Sequence, residues 1–367
     1  MRLSTIFGDN MFLAVVTFVL WGMQAVTGAW LFIAFPRLGW KIPFGVLPVL
    51  LTAFILFGMS YTRTHGGAFT GALYYAAYTW FGLVFLAFCI SAGCVLVSWI
   101  FQLFHLSART WLGPLSLAVT ALAFALALWG GFSTPRVKRI QLTVPNAPEM
   151  KIALISDSHL GMGVSLSRFD KALKKIEQEN PDVVFLLGDI FEYGPNMSAY
   201  AKRLKQLNPP LGVYGVFGNH EYYVGYDKSK TLFREAGARL LENETAELSN
   251  GVRVAGVKDA RTAHITARDV TALIKQTDNQ KPLIFLSHTP VYADEAAAAG
   301  ADLMFSGHTH NGQIFPFKYL VKLQFPRVYG LYEVDRMKFY ITSGMFYWGI
   351  PLRFLAPSEI PIIEVNQ

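Results

Sequence analysis

The stretch Lys151-Ile-Ala-Leu-Ile-Ser-Asp-Ser-His159 decides how this chain is read: an apolar run of strand character that ends on Asp-x-His. Later stretches deliver similar side chains: Gly188-Asp189, Gly218-Asn219-His220-Glu221, Ser287-His288, Gly307-His308 and, two residues on, His310. Most follow an apolar run directly. Val183 to Leu187 leads to Asp189, Leu283 to Leu286 to His288, and Leu303 to Phe305 to His308. In open α/β sheets the carboxyl ends of strands converge on one crevice, so residues far apart in sequence meet there. Asp, His and Asn are nitrogen and oxygen donors of intermediate hardness, suited to Mn, Fe, Zn or Ni rather than to a thiolate zinc site.

Working outward, composition divides the 367 residues into unlike halves. Residues 10–148 contain no Asp or Glu. Residues 1–149 hold 8 of the 32 Lys and Arg and 2 of the 25 acids, a net of +6, which leaves +1 for the remainder. The basic excess therefore lies around apolar segments, and a duplex-binding protein would instead carry a basic stripe on its folded domain. Nucleic acid is not an expected partner.

Met11 to Phe35, Ile42 to Tyr61, Ala76 to Phe104 and Trp111 to Phe132 are uncharged apolar runs, and about 20 residues suffice for a membrane-spanning helix. Four spans are expected, in a multi-pass integral membrane protein. With an even count, Arg2, Arg63, Arg136, Lys138 and Arg139 share one side while Arg37, Lys41 and Arg109 share the other. The positive-inside rule then favours a cytoplasmic domain after the last span. Gln24 and Gln102 within the spans are read as helix-to-helix hydrogen-bonding residues. Cys89 and Cys94, both in one apolar run, are read as small hydrophobes. The expected organisation is a transmembrane region over residues 1–133, a linker and first strand over 134–149, and a domain over 150–367.

Within the second half, strands are expected at Ile140 to Val144, Met150 to Ile155, Val183 to Leu187, Val213 to Phe217, Leu283 to Leu286, Leu303 to Phe305, Met337 to Thr342 and Pro361 to Val365. A hairpin over Ala246 to Val257 turns at Asn250-Gly251. Helices are expected at Leu166 to Glu179, Tyr200 to Leu207, Lys230 to Ala236, Thr266 to Gln276 and Tyr292 to Ala299. Strands alternating with helices argue an α/β core, and the late strands a second sheet packed on the first.

Each donor alone is a weak signal, since an Asp at a strand end usually caps a turn and a lone His is more often a core residue. The ordered set Asp157-x-His159, Gly188-Asp189, Gly218-Asn219-His220-Glu221, His288 and Gly307-His308-Thr309-His310 resembles the calcineurin-like metallophosphoesterase family. The tail, with Ser343-Gly344, Pro351-Leu352-Arg353 and Pro357-Ser358-Glu359-Ile360, resembles the subgroup that contains membrane-associated bacterial phosphoesterases and the vertebrate transmembrane phosphoesterase, which implies a bacterial inner membrane as the expected location. The resemblance implies an α/β/β/α two-sheet sandwich and two divalent metal ions, Mn foremost in vitro. Asp157, His159, Asp189 and His310 would hold one; Asp189, Asn219, His288 and His308 the other. It further implies hydrolysis of a phosphoester or pyrophosphate by a hydroxide shared between the metals, with His220 contacting phosphate and protonating the leaving oxygen. Arg353 is read as a contact for a substrate phosphate, with tail packing as the alternative. Asn311 stands where many relatives have glycine, and Glu192 follows the bridging Asp by three. Neither is expected to touch a ligand.

The alternatives to a hydrolase are a membrane scaffold on a degenerate phosphoesterase fold and a metal-dependent nuclease. The unbroken donor set argues against the first, the near-neutral second half against the second. Gly312 to Tyr332 and Met345 to Leu355 mix apolar and aromatic residues with cations and no acid. About half of these are expected to fill the core, the others to rest on an anionic lipid surface. A phosphate-containing small molecule or lipid is the expected substrate, and the membrane the expected partner.

Overall fold

The computed structural model describes residues 3–36, 46–276 and 281–366. Arg2, Arg37, Trp40, Lys41 and the opening of the second expected span, Ile42 to Gly45, lie outside the described residues. The chain forms two compact units, Met1–Trp129 with Ile350–Leu352, and Gly130–Gly349 with Arg353–Gln367.

The first unit is helical: α1 (Leu3–Ala34), α2 (Val46–Thr64), α3 (Ala68–Leu103) and α4 (Arg109–Phe132). Among the described residues, three helical stretches, Ala14–Ala34, Ala68–Leu103 and Arg109–Phe132, are long and apolar enough to cross a membrane. The span expected over Ile42 to Tyr61 falls partly outside the described residues. The apolar part of α2 that is described, Val46–Thr62, has 17 residues, a rise of about 26 Å against a hydrocarbon core of about 30 Å. Gln24 does bridge helices, its Nε2 donating to Thr52 Oγ1 at 2.7 Å. Trp30 Nε1 of α1 donates to Ser116 Oγ of α4 at 2.9 Å. Gln102 is exposed. Cys89 and Cys94 are half-buried free thiols.

The second unit opens with β1 (Arg136–Thr143), β2 (Met150–Ile155), α5 (Leu166–Glu179), β3 (Val183–Leu187), α6 (Met197–Leu204), β4 (Val213–Val216), α7 (Asn219–Val224), α8 (Tyr226–Glu235) and β5 (Ala238–Leu240). It continues with β6 (Glu244–Glu247), β7 (Arg253–Gly256), α9 (Ala267–Lys275), β8 (Leu283–Leu286), α10 (Ala293–Ala299), β9 (Leu303–Ser306), α11 (Lys318–Gln324), β10 (Gly330–Val334), β11 (Met337–Ile341) and β12 (Glu359–Asn366). Two six-stranded sheets result, in the orders β1-β12-β2-β3-β4-β5 and β10-β11-β9-β8-β7-β6.

Side-chain alternation along the strands builds the layers. From β3, Val184 and Leu186 face α5, where Phe169, Leu173 and Ile176 recur at helical spacing. Val183, Phe185 and Leu187 face the other way, into a core shared with Ile284 and Leu286 of β8 and Leu303 and Phe305 of β9. Phe285 and Met304 then meet Val270 and Ile274 of α9 and Ala296 of α10. This is the α/β/β/α sandwich. Helix α5 starts where Ser165 accepts the Arg168 N–H and stops at Asn180 in a left-handed conformation. Arg136 to Arg139, expected as a basic linker, are the first half of β1, which pairs with β12 in parallel from Arg136 opposite Glu359 to Thr143 opposite Asn366.

Ile362 of β12 is fully buried between the first sheet and its helices. Ile362→Ala is expected to cost about 2–5 kcal/mol of stability of this unit, measured by thermal unfolding of the full chain. A change within about 0.5 kcal/mol, the range of ordinary surface substitutions, would contradict the central place of β12.

Candidate metal centre

All the expected donors leave the carboxyl ends of strands that neighbour one another. Asp157 and His159 follow β2, Asp189 follows β3 and Asn219 follows β4, adjacent in the first sheet. His288 follows β8 and His308 follows β9, adjacent in the second. Five of these residues, Asp157, His159, Asp189, His308 and His310, have φ between 41° and 72°. Side-chain-bearing residues adopt that region at a cost, and such strain collects at functional sites. Close packing of the loops requires glycine, as Gly218 and Gly307 show. A Cβ on Gly218 would fall on Asp189 Oδ1, and one on Gly307 on Asp157 Oδ2 and Ser156 Oγ.

The donors converge in three groups: Asp157, His159 and His310; Asp189, His288 and His308; and His159, Glu192 and His220. His159 Nε2 lies 3.1 Å from His310 Nε2, which is 3.3 Å from Asp157 Oδ1. His308 Nδ1 lies 3.3 Å from His288 Nε2, itself 3.2 Å from Asp189 Oδ2. Asp189 Oδ2 also stands 3.9 Å from His159 Nε2, so this one carboxylate reaches both groups.

His288 Nδ1 donates to Leu187 O at 2.7 Å, which leaves Nε2 bare toward the carboxylate. A bare ring nitrogen facing a carboxylate oxygen is repulsive unless a proton or a cation lies between them. Accordingly His288 is pushed up to about 10, burial opposing and Asp189 and Asp157 raising. Burial also works against ionisation of Asp189, yet His288 and His220 hold it well below the usual range. His308, buried and beside His288, is pushed down to about 4. Asn219 Oδ1 is buried and finds no hydrogen-bond partner among the described residues, an orphaned acceptor that a cation would satisfy. The residues thus fit two divalent cations sharing Asp189.

Glu192 corrects an expectation. It does touch a candidate ligand, its Oε2 lying 3.4 Å from His159 Nδ1 and 2.5 Å from His220 Nδ1. Burial would raise Glu192, but hydrogen bonds from His159 and His220 hold it at about 2. His220 is pushed up to about 9, burial opposing and Asp189 and Glu192 raising. Tyr223 and Trp348 pack its ring with centroids at 5.1 and 5.8 Å. The signal in the sequence was position alone, an acid three residues after Asp189.

Arg353 occupies a different position from the one its reading as a phosphate contact calls for. It is 2% exposed. Its guanidinium donates to the carbonyls of Ser343 (2.7 Å), Ala356 (2.9 Å) and Phe346 (3.1 Å from Nε), and Nη2 lies 3.0 Å from His310 Nδ1. These partners engage every nitrogen of the fork, the arrangement of tail packing behind a ligand.

Glu221 was read only as the last letter of a motif. Its carboxylate is fully buried and accepts the N–H groups of Asp189, Ile190 and Gly218 at 2.8 Å and of Phe191 at 3.2 Å.

Residues 150–312 match the family model described as calcineurin-like phosphoesterase. The chain is 35% identical over 239 residues to an uncharacterized metallophosphoesterase of Campylobacter jejuni, a match covering 64% of each chain. With one from Aquifex aeolicus it shares 36% identity over 229 residues, 61% of this chain and 87% of the other. A transmembrane protein with metallophosphoesterase domain from Danio rerio is 32% identical over 69% of this chain and 62% of its own. The chain thus spans under two thirds of the Campylobacter and Danio proteins.

Asp189→Asn is expected to abolish stoichiometric metal in the purified full chain. His220→Asn and Glu192→Gln should keep both metals and lose turnover, by about 10²–10⁴-fold for His220 as a proton donor. Metal analysis beside kinetics decides: a metal-free His220→Asn protein would make His220 a ligand.

Proposed function

The chain belongs to the calcineurin-like phosphoesterase family, and on that premise we propose that it hydrolyses a phosphoester or pyrophosphate bond of a lipid-linked substrate. The observation that carries the hydrolytic reading is the convergence of six of the seven donors in two groups, while the seventh, Asn219, carries a buried Oδ1 with no hydrogen-bond partner among the described residues. One cation is assigned to Asp157, His159, Asp189 and His310, the other to Asp189, Asn219, His288 and His308. When bound, two such cations neutralise phosphoryl charge and activate water. Mn²⁺ is proposed over Mg²⁺ because four of the donors are imidazoles, whereas Mg²⁺ prefers oxygen. The protein's own contribution is the proton. Glu192 holds His220 by Nδ1, so its Nε2 proton is directed to the leaving oxygen, and the neutral imidazole left behind keeps its Nδ1–H on Glu192.

The lipid reading is supported by α11. This short helix buries no residue, and Leu320 and Leu323 are 57% and 84% exposed beside Lys318 and Lys322. Phe317, Tyr319, Trp348 and Leu355 are exposed too, whereas Ile314, Phe325, Val328, Phe346 and Tyr347 fill the core. Arg327 is tied to Asp294 at 2.8 Å. Exposed leucines between lysines suit a surface resting among anionic headgroups. The test uses the full chain with Leu320→Ser and Leu323→Ser together, assayed on a short-chain soluble ester and on the same headgroup with long acyl chains in mixed micelles. KM is expected to rise about tenfold for the micellar substrate only. An equal change on both substrates would falsify the interfacial role.

We also propose a cytoplasmic catalytic unit in a bacterial inner membrane. If α2 does not cross, Arg37, Lys41, Arg63, Arg136, Lys138 and Arg139 share the side of this unit, against Arg2 and Arg109. The positive-inside rule therefore gives the same side for three spans as for four. In intact cells lacking Cys89 and Cys94, an impermeant maleimide is expected to label Ser107→Cys, between α3 and α4. It should reach Ser198→Cys of the catalytic unit only after permeabilisation, and the reverse pattern would place the unit outside.

A further inference from the structure

The middle of the first helical unit holds a feature that no catalytic role explains. Gln24 lies at the centre of the apolar stretch Ala14–Ala34 and is 8% exposed. Its amide nitrogen is committed, to Thr52 Oγ1 at 2.7 Å and, more loosely, to the carbonyls of Leu20 and Pro48. Its Oε1 is buried and has no partner among the described residues; neither has Trp80 Nε1. Both side chains line a cavity of about 280 Å³ between α1, α2 and α3, otherwise walled mainly by apolar groups such as Leu31, Leu51 and Ala87. Leu47 also lines it and is 42% exposed, so among the described residues the cavity communicates with the outer surface of the helices.

The recess is half open rather than enclosed, and apolar recesses of this kind take up apolar guests. At the depth of mid-span the molecules on hand are hydrocarbon chains, since water is scarce there and an amide oxygen facing hydrocarbon is costly to leave unpaired. We propose that this cavity is a binding site for one hydrocarbon tail of a membrane lipid, with Gln24 Oε1 placed to accept a hydrogen bond from a donor carried on that tail. The chemistry is selective in one direction. A plain alkyl chain fills the volume and leaves Oε1 unpaired, whereas a chain hydroxylated near its middle fills it and pairs Oε1. The site belongs to the helical unit alone and does not depend on the substrate proposed above.

The experiment uses the full chain in mixed micelles with a phosphatidylglycerol whose sixteen-carbon acyl chain carries a diazirine near its middle. After irradiation, adducts are mapped by mass spectrometry. Saturable labelling is expected on the segments bearing Gln24 to Leu31 and Trp80 to Ala87, reduced at least fivefold by Ala87→Phe or by Leu83→Phe, either of which fills the cavity. Adducts on the exposed Trp129 of α4 should persist in both variants and report that the bundle is intact. A 12-hydroxystearoyl competitor should displace the probe at several-fold lower concentration than a stearoyl one, and Gln24→Leu should remove that difference. Labelling that rises linearly with probe, or that survives both filling substitutions in folded protein, overturns the tail site. Equal competition by the two chains in the unsubstituted protein overturns the part assigned to Gln24.

Discussion

The Glu221 carboxylate is the constraint on which the metal centre rests. It is fully buried and collects four backbone N–H groups, three from the run Asp189 to Phe191 and one from Gly218. Burying an ion without partners is prohibitive, so the loops after β3 and β4 close around it in the one arrangement that offers four donors. That arrangement sets Asp189 and Asn219 side by side, and the Asp189 carboxylate in turn accepts the His220 N–H at 2.8 Å. Burial and the neighbouring Asp189 push Glu221 up to about 7 even so, against the pull of its backbone donors.

The same economy of position appears in the left-handed conformations of five donors. Each is a local cost of order 1–3 kcal/mol. It is tolerated because the strands behind them are fully buried, with Val183 to Leu187 showing no exposure at all. A rigid double sheet holds the side chains where flexible loops would let mutually repelling donors drift apart. His220 stands outside this rule. It lies in the first turn of α7 rather than in a strained turn, and Glu192, Tyr223 and Trp348 pack around its ring.

Much of this was legible. Strands β2, β3 and β8 and helix α5 have the bounds that apolar runs and capping residues indicate, because each buries a whole face or both faces. Elements that bury little were not. Three-residue β5 is an edge, α11 buries nothing, and α7 is a single turn hidden in a ligand motif. Glu192 was misjudged because its contacts with His159 and His220 depend on how two loops fold over each other, which no local pattern encodes. Arg353 was read by charge as a phosphate contact, whereas its neighbours across the tail decide its work. The second helix looked like a span by hydropathy, and only its length within the described residues separates it from one.

The residues that match the family model, 150–312, are not a closed structural unit in this chain. Strand β12 lies between β1 and β2, parallel to the first and antiparallel to the second, and β11 pairs with β9. Without them β2 and β9 would become bare edges with both faces apolar, the kind of strand that templates aggregation. The C-terminal tail also reaches the chemistry. Gln313 exchanges two hydrogen bonds with the backbone of Trp348, at 2.9 and 3.1 Å, and Arg353 joins the turn at Ser343 to the ring of His310. His310, the last candidate ligand in the sequence, is thus positioned by residues some forty places beyond it. The C-terminal strand completes the first sheet between β1 and β2, so the loop that carries Asp157 and His159 leaves a strand that β12 flanks, while the loop that carries His308 and His310 leaves a strand that β11 flanks.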